Sequence, residues 1–75
     1  MDQTYLARYK TLGLNIAYYR KKRGLSQEEL AEKAEVDRST ISKPEIAFAG
    51  TSLDLIFKIA DILQVEPYKL FVERD

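Results

Sequence analysis

The sequence predicts an all-α fold, a bundle of five helices in one domain spanning residues 1–75. Three observations predict it. Apolar residues recur at steps of three and four along nearly the whole chain, and no stretch sustains the alternation of a half-buried strand. Valine, a favoured strand residue, is scarce. The apolar stripes are punctuated by helix signals: serine, aspartate or proline at starts, and a glycine after a basic turn at one stop.

The first helix is expected from about Thr4 to Lys22. Its stripe is Leu6, Tyr9, Gly13, Ile16 and Arg20, with Leu12 and Tyr19 beside it. Gly24 follows a basic last turn. Cations suit a helix C-terminus, and glycine tolerates the left-handed conformation that ends it. The second helix, about Gln27 to Ala34, has the clearest start. Ser26 is a good N-cap, and Glu29 three residues later completes a capping box. Leu25 and Leu30 form a hydrophobic staple across that cap, and Leu30, Ala31 and Ala34 give the buried face. Asp37 can cap a third helix that begins at Arg38 and turns Ile41 inward. Two short helices joined by about three residues have the helix-turn-helix spacing. Ser52 caps a fourth helix to about Gln64, with Leu53, Ile56, Ile59, Ala60 and Leu63 inside. Pro67 suits the first turn of a fifth, with Leu70 and Phe71 as its apolar contacts.

Composition narrows the function. There is no cysteine and no histidine, which excludes disulfides, thiolate metal sites, a thiol nucleophile and a histidine base. No nucleophile–base pair or glycine-rich loop remains, so an enzyme is not expected. No metal, cofactor or small-molecule ligand is expected either. Residues 1–10 carry charges and tyrosines rather than a long apolar run, so neither a signal peptide nor a membrane span is expected, and the expected location is the cytoplasm.

The chain has 12 basic and 12 acidic residues and a formal net charge of zero. DNA-binding domains usually carry a basic excess. The charges are segregated, however. Arg20, Lys21, Lys22 and Arg23 form a basic run, with Arg38 and Lys43 further on. Acids gather at Glu28, Glu29, Glu32 and Glu35, and again from Asp54 onward. A two-faced molecule can bind phosphates on one side despite its zero total.

The segment LGLNIAYYRKKRGLSQEELAEKAEVDRSTIS, Leu12 to Ser42, resembles the Cro/C1 family of phage-repressor-like helix-turn-helix proteins. So does SLDLIFKIADILQVEPYKLF, Ser52 to Phe71. The match LSQEELAEKA is the most specific part, since it joins a cap, a core stripe and a glutamine at fixed spacing. The resemblance implies a five-helix repressor-like bundle with a helix-turn-helix formed by helices two and three. It places the third helix in the major groove of double-stranded DNA.

By that resemblance Gln27 contacts a phosphate or base near the half-site edge, where a helix N-terminus also offers free N–H groups. The alternative is an ordinary first-turn surface residue. Arg38, Ser39 and Thr40 open the recognition helix. Arg38 can donate two bonds to a guanine or take a phosphate. Ser39, Thr40 and Ser42 suit either target, and Lys43 suits a phosphate. A capped, polar helix start accounts for the same residues without DNA. Arg20 and Arg23 are the members of the basic run placed to reach flanking phosphates, in a salt-sensitive way, although such a run is usually a solvated helix end. Tyr18 and Tyr19 read as packing residues rather than base stackers.

The chain departs from the family pattern in two places. Glu35 stands where the turn usually has glycine, at a tolerable cost in backbone strain. After Ser42 the chain reads KPEIAFAGTSL. Pro44 replaces an apolar core residue, Ala47 a glycine and Thr51 a proline, while Glu45 matches. Pro44 lacks an N–H and clashes with the carbonyl of Thr40, so the third helix is expected to be short or kinked, ending near Ser42 or Lys43. The apolar loop Ile46–Ala49 packs inward, or presents Phe48 to a second subunit, or marks a loss of DNA binding. Phe71 and Val72 in the tail are the other expected dimer contacts.

Two functions follow. The first is a dimeric, sequence-specific DNA-binding regulator reading half-sites of a near-palindromic operator, such as a repressor, a restriction–modification controller or an antitoxin. The second is a protein–protein interaction module that keeps the fold with weakened DNA binding, which zero net charge and Pro44 favour.

Overall fold

A computed structural model of the chain describes residues 5–42 and 52–74. Within them the chain forms α1 (Leu6–Lys22), α2 (Gln27–Ala34), α3 (Arg38–Ser42) and α4 (Leu53–Leu63), followed by one 3-10 turn, Pro67–Leu70. The all-α class stands. The expected fifth helix is corrected: four α-helices are present among the described residues, and Pro67 opens a 3-10 turn of four residues. The Phe71 N–H closes the turn on the Tyr68 carbonyl at 3.0 Å.

The start of α2 follows its sequence signal in full. The Ser26 hydroxyl accepts from the Glu29 N–H at 3.0 Å, and the Glu29 carboxylate accepts from the Ser26 N–H at 2.8 Å. The Ser26 N–H, donating to the carboxylate, and secondarily the Ser26 side chain beside it hold the Glu29 carboxyl below its ordinary 4.5. At α4 the Ser52 hydroxyl accepts from the Leu55 N–H at 3.2 Å. At α3 the backbone carbonyl of Asp37 takes the Thr40 N–H at 3.0 Å.

Three helices end in one way. After α1, α2 and α4 a residue turns left-handed: Gly24 with φ +70°, Glu35 with φ 60° and Gln64 with φ 60°. Each stop pairs two otherwise orphaned carbonyls. Leu25 N–H reaches Arg20 and Gly24 N–H reaches Lys21. Val36 reaches Ala31 and Glu35 reaches Glu32, and the same pattern joins Val65 to Ala60 and Gln64 to Asp61. This is the Schellman closure, in which glycine is preferred because it carries no Cβ. Glu35 and Gln64 adopt it with a side chain.

The core is continuous. Leu12 and Ile16 of α1, Leu30, Ala31 and Ala34 of α2, Ile41 of α3, Ile56, Ile59, Ala60 and Leu63 of α4, and Leu70 of the 3-10 turn are buried together. Tyr9, Tyr19, Leu25, Val36 and Val65 pack around them. α2 packs on α3 and α4, and the 3-10 turn packs on α1 and α4. Three apolar assignments change. Leu53, expected inside, is exposed, as are Leu6 and Phe71. Leu6 and Leu53 each open a helix, and Phe71 lies just beyond the 3-10 turn. Asn15, by contrast, is buried.

Pro44, the apolar stretch Ile46 to Ala49, Glu45 and Thr51 lie outside the described residues, and so do the site candidates Lys43 and Phe48.

The left-handed stops predict a pair of opposite effects. Gly24→Ala is expected to cost about 1 kcal/mol through backbone strain alone, since an added Cβ would meet nothing within 4 Å. Gln64→Gly is expected to gain about 1 kcal/mol for the same reason. Urea denaturation of both variants measures the pair. The cap predicts a pH effect. Because Glu29 titrates lower when folded, its contribution is complete above 4.5 and is lost as pH falls through the folded value. Ser26→Ala is expected to cost about 1 kcal/mol at neutral pH and to flatten the acid limb of a stability–pH curve.

Candidate DNA-binding surface

The helix-turn-helix is assembled from α2, the turn Glu35–Asp37, and α3. Its geometry starts from the cap at Ser26 and the left-handed Glu35. The cap fixes where α2 begins, and the stop turns the chain so that Val36 packs on the core while Arg38 opens α3. Glu35 is also tied to α4: its carboxylate meets the Lys58 ammonium at 2.7 Å. That bond and the charge of Lys58 hold the Glu35 carboxyl below its ordinary 4.5. Both partners are largely exposed, so the pair steers the turn more than it stabilises it.

Gln27, the first residue of α2, and Arg38, the first residue of α3, are brought together. An Arg38 guanidinium N–H points to Gln27 Oε1 at 3.5 Å. Arg20, Ser26, Gln27, Glu28 and Arg38 line one open depression. Three of the expected site residues, Arg20, Gln27 and Arg38, therefore share a surface although 18 positions of sequence separate the first from the last. Ser39 is exposed, while Thr40 and Ser42 are half-buried on the same short helix. The Ser42 hydroxyl donates back to the Ser39 carbonyl at 3.5 Å. Lys43 lies outside the described residues.

The basic run is divided by its hydrogen bonds. Arg20 donates to the Leu25 carbonyl at 2.7 Å, bracing the turn that leads into α2. Arg23 donates from Nε to the Leu63 carbonyl at 2.7 Å and from a terminal nitrogen to the Gln64 carbonyl at 3.2 Å. These are the last carbonyls of α4, where a cation is favoured. Lys22 lies over the Tyr18 ring at 5.4 Å. Sequence reasoning placed this run at a helix end but did not anticipate that Arg23 would close another helix.

Asn15 is the residue that sequence reasoning missed. It is fully buried and joins α1 to the end of the chain. Its Nδ2 donates to the Leu70 carbonyl at 2.9 Å and the Val72 carbonyl at 2.8 Å, and its Oδ1 accepts from Arg74 Nε at 2.9 Å. The available signal was spacing. Leu12, Asn15, Ile16 and Tyr19 follow steps of three and four, so Asn15 shares the inner face.

This chain belongs to the helix-turn-helix family: the family's model matches residues 16–70. The match is of the Cro/C1 type. An uncharacterized HTH-type transcriptional regulator of Methanocaldococcus jannaschii is 40% identical over 60 residues, covering 80% of this chain and 91% of the relative. The HTH-type transcriptional regulator SinR of Bacillus licheniformis is 37% identical over 65 residues, covering 85% of this chain and 59% of that protein. Among solved structures, the restriction–modification controller protein C.AhdI from Aeromonas hydrophila superposes with a TM-score of 0.71 at 38% identity, covering 81% of this chain and 92% of that one. A hypothetical transcription factor from Neisseria, NHTF, superposes at 0.76 with 33% identity, covering 97% and 82%.

The bonds of Arg23 predict a stability role. Arg23→Met keeps the apolar stem and removes both donors to α4, and is expected to cost about 1 kcal/mol in chemical denaturation.

Proposed function

We propose that this chain is a sequence-specific DNA-binding transcriptional regulator that acts as a homodimer, with α3 in the major groove. One observation carries the reading: Gln27 and Arg38, at the starts of α2 and α3, meet on one open surface of a helix-turn-helix. Helix N-termini offer unpaired N–H groups to phosphate, and the first side chains of the recognition helix reach base edges. In this reading Gln27 takes a phosphate or base at the edge of the half-site and steadies Arg38. Arg38 takes a guanine bidentately or a phosphate. Ser39, Thr40 and Ser42 contact bases or backbone, and Lys43 a phosphate. Arg20 flanks the site, and Arg23 reaches a phosphate with the donors that α4 leaves unused.

The dimer follows from size. A single α3 of five residues reads few base pairs, and two copies would read half-sites roughly 34 Å apart on a near-palindromic operator. Phe71 and Val72 are exposed and available for that contact, with Phe48 as a further candidate. Among the described residues no helix is long and apolar enough to cross a membrane. The proposed activity is binding rather than catalysis, in the cytoplasm, as a repressor or controller. The second reading, a protein-interaction module with weakened DNA binding, is favoured by the zero net charge.

Selection of bound sequences from a random DNA pool, followed by footprinting at low salt, tests the reading. The expected result is a site with dyad symmetry. Arg38→Ala is expected to lose about 1–3 kcal/mol of specific affinity and to relax one base position in each half-site. Arg20→Ala is expected to weaken all sequences alike and to lower the salt dependence. An absence of protected sequence would leave the interaction-module reading.

A further inference from the structure

Where α1 ends beside the end of α4, Tyr19, Lys22, Arg23, Gln64, Val65 and Lys69 line a depression of about 290 Å³. Three of these residues are cations and none is an acid. A neighbouring depression shares Arg23 and Gln64 and adds Lys33, again without an acid. Positive charge is thus gathered in one place on a chain whose total is zero. Among the described residues the ion pair present is Lys58 with Glu35, so none of these cations is paired with an acid.

The depression is built around a fixed guanidinium. Arg23 Nε and one terminal nitrogen are held by the Leu63 and Gln64 carbonyls at 2.7 and 3.2 Å. The other terminal nitrogen keeps its N–H groups for a ligand. Tyr19 is half-buried and packed on the core, and the Lys22 ammonium rests over the Tyr18 ring at 5.4 Å. Lys69 is carried by the 3-10 turn, which packs on α1 and α4. Groups held in this way bind with little further ordering. Closing α4 accounts for Arg23 alone. It does not account for Lys22 and Lys69 on the same concave surface, where like charges repel. A hollow lined by one sign of charge focuses its field on a ligand of the other sign.

We infer that this depression is a binding site for a compact phosphate-bearing ligand, with pyrophosphate as the simplest case. Arg23 donates to its oxygens from the free end of the guanidinium, Lys22 and Lys69 balance its charge, and Lys33 extends the site. Several cations match the several charges of a diphosphate better than the single charge of a carboxylate. The volume falls just below the roughly 300–1,000 Å³ of pockets that take drug-sized molecules, which suits a compact anion. The site is separate from the surface where Gln27 meets Arg38, since the two depressions have no residue in common. At about 3.6 residues per turn, Tyr19, Lys22 and Arg23 share one side of α1, and Arg20 is turned about 100° from Tyr19. Arg23 is the one residue it shares with the DNA contacts proposed above.

Calorimetric titration of the full chain with pyrophosphate, at an ionic strength held constant with sodium chloride, tests this. The expected result is saturable binding that is weakened about tenfold in Arg23→Met and in Lys69→Glu and unchanged in Lys21→Ala. Lys21 belongs to the same basic run but lines neither depression. Lys69 is exposed, so Lys69→Glu decides the matter if Arg23→Met unfolds. ADP titrated in parallel separates the two sources of a diphosphate: tighter binding than pyrophosphate assigns the site to a nucleotide, and equal or weaker binding to the free anion. Heat that does not saturate, or a loss in Lys21→Ala as large as in Lys69→Glu, means diffuse charge attraction only and overturns the site. The titrations contain no DNA, so that outcome leaves the DNA-binding reading standing.

Discussion

Burial of one face of α2 against α4 is the constraint on which the rest of the structure depends. A helix of eight residues is too short to persist alone in water. Leu30, Ala31 and Ala34 lose nearly all their exposure where α2 meets its neighbours. Leu30 alone is worth roughly 2–5 kcal/mol by the cost of truncating such a side chain, a large share of what a domain of this size can have. α3, with five residues and Ile41 as its buried anchor, depends on α2 in turn. The surface shared by Gln27 and Arg38 is therefore a consequence of α2 packing, even though neither side chain takes part in that packing.

Helix ends convert this packing into direction. The Ser26–Glu29 box sets the first residue of α2, and so the place of Gln27. The left-handed Glu35 sets the angle at which α3 departs, and so brings Arg38 to Gln27. A side chain in that conformation is strained, and the strain is tolerated because Val36 is drawn onto the core beyond it. Gln64 repeats the arrangement at the end of α4, where Arg23 takes the last carbonyls. A basic run that reads as one uniform patch is thereby divided into a brace at Arg20, a helix closure at Arg23 and a ring contact at Lys22.

Much of the fold was legible in local chemistry. The bounds of α2, the first residue of α3, the Ser52 cap and the left-handed Gly24 all follow from interactions within a few residues, which a linear pattern records. The pairing of helices two and three was legible for the same reason, since three residues cannot carry the chain far. The candidate site was legible as a set of helix-start residues, and Gln27 and Arg38 do share a surface. The outward placing of Leu53 and Phe71 was not legible, because periodicity identifies an apolar stripe without saying where the neighbouring element ends.

What the sequence by itself determined was the all-α class and the helix-turn-helix, because caps, stops and periodicity act over distances shorter than a helix; the family came from the resemblance of Leu12–Ser42 and Ser52–Phe71. What only the tertiary structure decided was which polar groups spend their bonds inside the molecule. Asn15 reaches carbonyls 55 and 57 residues away, and Arg23 reaches one 40 residues away. A hydrogen bond needs its partners within about 3 Å. No spacing along the chain can state that for residues brought together only when α1, α4 and the tail have packed.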